Sequence, residues 1–177
     1  IDPMGRIFVA EANRFKFGVP DLRGNRHMIQ DDFKALKVED RLKMYQKYQD
    51  KIPMSWYTDY PERLIMLDDK DGNMVADYRS LFSDQFRDAL DGIGFSVLAE
   101  RDAVYFTCIP ALRKLTDTNG DGIADTHEKL VEGFGVRVSF TGHDLHGIIR
   151  GPDNRLYFTV GDRGFHVETE DGEIHQA

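Results

Sequence analysis

The sequence is short of several features that would assign its class at once. One cysteine, Cys108, stands among 177 residues, so no internal disulfide forms and no Cys-x-x-Cys-His haem attachment site lies within the chain. Cys108 follows Val104-Tyr105-Phe106-Thr107 in an apolar strand pattern, where a buried packing thiol is expected. A single thiol leaves the redox compartment unread. No apolar run approaches the ~18 residues of a membrane-spanning helix, so no transmembrane segment is expected in this chain. The opening residues, Ile1-Asp2-Pro3-Met4-Gly5-Arg6, lack the basic and apolar regions of a signal peptide, so an exported protein would carry its signal outside them. Basic residues number 23 against 31 acidic ones, a net charge of -8, and nowhere cluster into a phosphate track. Nucleic acid is therefore not an expected partner.

What is present is a repeat. Gly151-Pro152-Asp153-Asn154-Arg155-Leu156-Tyr157-Phe158-Thr159-Val160 echoes Asp2-Pro3-Met4-Gly5-Arg6-Ile7-Phe8-Val9-Ala10, and Glu100-Arg101-Asp102-Ala103-Val104-Tyr105-Phe106-Thr107 forms a third copy. Each copy is a tight polar turn feeding a β-rich strand. Ala89-Leu90-Asp91-Gly92-Ile93 and Asp144-Leu145-His146-Gly147-Ile148 precede the second and third copies. After the first two copies comes a Leu-x-x-Leu strand, Leu64–Leu67 and Leu112–Leu115, each followed by an acidic loop, and Leu67 to Leu115 spans 48 residues. Phe134, Val136, Val138 and Phe140 alternate with Gly135, Arg137 and Ser139, the period of a strand with one buried face. Short strands, glycine-rich turns and a unit of ~50 residues read as an all-β fold of the β-propeller type, with about three blades in an open piece. The 41% hydrophobic content suffices for one core, in one domain or a part of a larger one.

One blade is enlarged by an insertion. From about Asp31 to Asp50, Val38, Leu42, Tyr45 and Tyr48 fall near helical spacing, and Asp31 or Asp32 is placed to cap the start. The spacing predicts one amphipathic helix whose charges are solvated and in which Tyr45 and Tyr48, with Trp56 beyond, serve packing.

Asp117, Asn119, Asp121, Gly122, Asp125 and Glu128 occupy positions 1, 3, 5, 6, 9 and 12 of a calcium loop, and Ile123 would offer its carbonyl from position 7. Hard oxygen ligands at this density suit calcium. The flanks are predicted strands rather than two helices, and the alternative is an Asp/Asn/Gly turn held by side-chain to backbone hydrogen bonds without metal. An earlier loop with Asp68, Asp69, Asp71 and Asp77 is spaced less regularly. Calcium at either place would clip the structure before it served chemistry.

The most specific stretch runs from Gly142 to Gly164, with His143, Asp144 and His146 before an apolar strand, Gly151-Pro152-Asp153, a second strand and Gly161-Asp162-Arg163-Gly164. A neutral imidazole titrates near working pH and suits proton abstraction, whereas the plainer role is a loop histidine bonded to its own turn. Asp144 is placed to orient either imidazole, and Asp162 and Arg163 to line the same mouth.

This segment resembles the soluble pyrroloquinoline-quinone glucose and sorbosone dehydrogenase family, in whose motif a histidine stands eight positions before the glycine of Gly-Pro-Asp, as His143 does before Gly151. The paired acidic loops and helical insertion resemble the large periplasmic "membrane-bound dehydrogenase" propellers that carry a c-type haem domain further along the chain. The resemblance implies a six-bladed propeller, a periplasmic or secreted location, a sugar or other alcohol as substrate, and hydride transfer to the quinone with His143 as general base and Asp162 and Arg163 at the cofactor. The family's remaining quinone-holding residues come from later blades. The alternatives are a non-catalytic, calcium-braced propeller that binds carbohydrate or a protein partner, and a scaffold for an electron-accepting haem domain.

Overall fold

The computed structural model describes residues 1–177. Its eleven strands form four antiparallel sheets. Strands β1 (Ile7–Glu11), β2 (Glu62–Asp68) and β3 (Tyr78–Phe86) make the first, and β4 (Gly94–Ala99), β5 (Val104–Cys108), β6 (Ala111–Thr116) and β7 (Thr126–Glu132) the second. Strands β8 (Leu145–Arg150) and β9 (Leu156–Val160) pair alone, as do β10 (His166–Glu168) and β11 (Ile174–Gln176). The fold is mostly β-sheet with few helices. No helix is long and apolar enough to cross a membrane.

Strand β4 lies against both β1 and β8, so the first three sheets are neighbours in chain order. Between the first two sheets, Phe8, Leu64, Met66, Phe82, Phe86, Val104, Phe106, Cys108, Leu115 and Ala124 form the main core. Period-2 alternation supplies these side chains from one face of each strand. Each large one contributes roughly 1.5–3 kcal/mol on burial. Glycine is required at Gly94, where a Cβ would sit 2.1 Å from the Phe106 ring.

The insertion is not one helix. A short turn, α1 (Ile29–Asp32), is followed by α2 (Val38–Lys47). Neither predicted cap holds. The Asp40 carboxylate accepts from the Leu36 and Lys37 amides, both at 3.2 Å, and starts α2. Buried Asp32 turns inward to the Val138 amide at 2.5 Å, and Asp31 binds Lys47 and the Tyr48 hydroxyl. The buried face of α2 is Val38, Arg41, Met44 and Tyr45, so Arg41 stands where Leu42 was expected. It donates to the Leu90 carbonyl at 2.9 Å. Tyr45 stacks on Tyr57 at 4.1 Å, and Trp56 packs edge-on against the same ring.

The predicted strand through Phe134–Phe140 is also absent. Phe134, Val136 and Val138 are buried as the alternation requires, but Gly135 and Ser139 have φ of 71° and 43° and break any ladder. Only Phe134 bridges to Phe165, while the Gly135 and Arg137 amides donate to the Gly164 and Arg163 carbonyls.

Antiparallel succession sends alternate connections to opposite edges. The insertion, the β3–β4, β5–β6 and β7–β8 connections and the turn after β9 share one edge: Arg14 donates to the Asp88 carbonyl, Gly92 to Ile109, Gly133 to Pro110 and Gly161 to Asp144. Both acidic loops emerge at the other edge, where the Tyr78 hydroxyl and Ser80 Oγ donate to the Asp121 and Gly122 carbonyls.

Candidate functional site

His143 lies on the first edge, in the connection that enters β8. Its Nδ1 is 2.8 Å from the Asp162 carboxylate, and both side chains are about half exposed, at 49% and 48%. An ionised carboxylate only accepts, so Nδ1 carries the proton and Nε2 keeps a lone pair. Phe140 meets the imidazole edge-on at 5.8 Å. Gly161 lets the strand after the histidine approach, since a Cβ there would be 2.7 Å from the His143 carbonyl. His143 and Asp162, 19 residues apart in the sequence, are thus brought into a direct pair.

Their neighbours have other work. His146 donates from Nε2 to the Gly142 carbonyl at 2.9 Å and packs on Phe95, which fixes it as a turn residue. Asp144 orients neither imidazole: it is fully buried, accepts from the Ile93 amide at 2.8 Å and pairs with Arg163 at 2.6 Å. Arg163 is likewise fully buried and also donates to the Arg137 carbonyl. It therefore underpins the site from below instead of lining its mouth. The quinone implied by the resemblance is a polyanion, and Arg163 offers it no accessible cationic partner. These residues fit a base with its orienting acid, not a quinone cradle.

Beneath this edge the chain buries a set of charges that sequence reasoning missed. Arg14 donates to the Tyr57, Tyr60, Asp88 and Asp91 carbonyls. Glu62 accepts from the Arg14 and Gly94 amides at 2.5 and 2.9 Å, and burial pushes its carboxyl up to about 7 against those two bonds. Asp91 pairs with Arg113 at 2.7 Å, and burial raises its carboxyl too. The only sequence signal was charged residues next to apolar strand ends, which solvated turns share.

The whole chain, residues 1–177, matches the family model described as a domain of unknown function, DUF7133. It belongs to the DUF7133 family. No curated protein and no solved structure matches it.

In this DUF7133 chain the acidic loop closes on itself. Asp117 accepts from the Gly120 and Gly122 amides at 2.7 and 2.9 Å, Asn119 Oδ1 from Asp121, Asp121 from Ile123, and Asp125 from the Thr118 amide. The earlier loop repeats these bonds 48 residues upstream: Asp69 accepts from Gly72 and Met74, Asp71 from Asn73, Asn73 Oδ1 from Val75, and Asp77 from Lys70. The two loops are one turn used twice, more alike than their spelling suggested. Glu128 is a correction. It stands in β7, opposite Lys114 at 3.8 Å, and three strand residues carry it roughly 10 Å from Asp125. No three His, Cys, Asp or Glu side chains are gathered at one point in either loop. Asp117, Asn119, Asp121 and Asp125 retain unused lone pairs on one loop, with the Ile123 backbone carbonyl in the same turn.

Proposed function

We propose that this chain is a three-blade portion of a β-propeller oxidoreductase in which His143, oriented by Asp162, takes the hydroxyl proton from a sugar or other alcohol. The observation that carries the reading is the exposed His143–Asp162 pair at 2.8 Å, with Nε2 left free to act as base. Support for the propeller comes from the correspondence of β1, β2 and β3 with β5, β6 and β7 through the same turn, Leu-x-x-Leu strand and acidic loop. Support also comes from β4 packing between β1 and β8. On this reading the first sheet holds three strands of a four-stranded unit, and β8 and β9 begin the next.

A complete ring of six blades, a periplasmic or secreted location and a haem domain as electron acceptor belong to the same proposal, as does pyrroloquinoline quinone as oxidant, which residues of blades outside this chain would have to hold because Arg163 is buried here. The ring, the quinone and the location rest on the resemblance of the Gly142–Gly164 segment, and the haem domain on that of the paired acidic loops and helical insertion. Calcium at Asp117, Asn119, Asp121, Ile123 and Asp125 rests on the spacing of the loop. The opposite position of those loops makes calcium a brace for strand ends rather than a participant at His143.

The test is calorimetric titration of the chelator-treated protein with pyrroloquinoline quinone, with and without calcium, followed by dye reduction with an aldose. Quinone uptake and turnover that falls by about 10²–10⁴ in His143→Ala are expected. Calcium binding without quinone uptake sinks the oxidoreductase reading. It leaves the second one, a non-catalytic propeller that binds carbohydrate or a protein partner, which the inward position of Arg163 favours.

A further inference from the structure

A cavity of about 660 Å³ opens on the same edge, between the first turn of α2, the loop before β4 and the corner between β5 and β6. That size is ordinary for a small-molecule site. Neither His143 nor Asp162 lines it. Arg113, 8% exposed, lines it; its one hydrogen bond runs from Nη2 to Asp91 at 2.7 Å, which leaves Nη1 without a partner. The guanidinium is held in place over the Phe86 ring at 5.4 Å. Five N–H donors serve one bond here.

His166 lines the cavity with the opposite need. Its Nδ1 is 3.0 Å from Gln176 Oε1, an acceptor, so Nδ1 carries the proton, and the buried Nε2 has a lone pair and no partner. Glu39, Glu132 and Glu168 line it too, with Lys37, Asp88 and Lys129, the last paired to Glu132 at 2.7 Å. Arg113 Nε and His166 Nε2 are sealed from solvent, so the group a ligand in the cavity completes is the unpartnered Nη1 end of the guanidinium.

The chemistry of the lining selects among ligands. An anion attracted to Arg113 and the lysines would face the carboxylates, and a cation attracted to the carboxylates would meet Arg113 and the lysines. Hydroxyl groups donate to carboxylates and accept from a guanidinium or an ammonium group. We propose that this cavity binds a neutral polyhydroxylated molecule, a sugar or sugar-like polyol, with Arg113 as its principal donor. The site is separate from the His143 pair and holds whether or not that pair is catalytic.

Saturation-transfer NMR and calorimetry on the intact chain test it, with D-glucose and maltose as neutral probes and phosphate and putrescine as charged ones. Two variants leave the buried Asp91–Arg113 pair untouched: Leu42→Trp, which fills the cavity from α2, and Glu132→Gln on its exposed rim. Sugar binding should weaken by about tenfold or more in each, the equivalent of one charge-assisted bond, with circular dichroism unchanged. It should be unaffected in His143→Ala. Absence of sugar binding overturns the proposal, as does binding that survives both variants, or phosphate or putrescine displacing sugar from the same site.

Discussion

Glu62 is a buried carboxyl whose burial links stability to pH. Its carboxyl titrates near 7 when folded and near its ordinary value of 4.5 when unfolded, with burial as the leading cause. Its favourable contribution is complete below pH 4.5 and is lost as pH rises to about 7, by at most roughly 3–4 kcal/mol. Urea unfolding at pH 5 and pH 8 should therefore show the protein weaker at the higher pH. In Glu62→Gln that slope should flatten, with roughly 1–3 kcal/mol lost at pH 5 because one of two buried amides faces the wrong amide atom. Asp144→Asn should cost roughly 3–5 kcal/mol in the same assay, since it strands the buried Arg163 charge. The sequence marked His143, Asp144, Asp162 and Arg163 as a group but not which way each points. A charged residue next to an apolar strand enters the core only where carbonyls and a counter-charge await it, and those come from distant positions, as with Arg14 and Glu62.

At the scale of elements, the turns and strands of the repeat were legible because a Gly-containing polar turn and a period-2 run carry their own geometry. The insertion was less so. The helical period predicted one helix from 31 to 50, and Asp32, which would have capped it, is drawn instead to amides more than a hundred residues away. Replacing Asp40 with alanine should lower stability by about 1 kcal/mol, because Asp40 starts α2. The duplicated loop gives a sharper prediction. Met74 occupies with φ 69° the place that Gly122 fills with φ 84°. Met74→Gly should stabilise the protein by roughly 0.5–1 kcal/mol, as relief of left-handed strain exceeds the added freedom of the unfolded chain. Thermal unfolding of the variant checks this.

For the whole molecule, the sequence revealed a repeat of β-rich units. The succession of three neighbouring sheets around β4 gives that repeat its arrangement. It could not reveal that the segment through Phe140 is irregular, because alternation of burial is the same for a strand and for a loop pinned by buried Asp32. If calcium braces the acidic loops, millimolar calcium should raise the thermal midpoint of the chelator-treated protein, and Asp117→Ala together with Asp69→Ala should abolish the rise. An unchanged midpoint in the unsubstituted protein would leave the loops as metal-free turns. The placement of His143 and the acidic loops at opposite strand ends has a practical consequence. Six residues of strand span roughly 20 Å, so a fluorophore at exposed Asn119 and a quencher beside His143 would sit at a separation suited to energy transfer, and the protein carries its own molecular ruler.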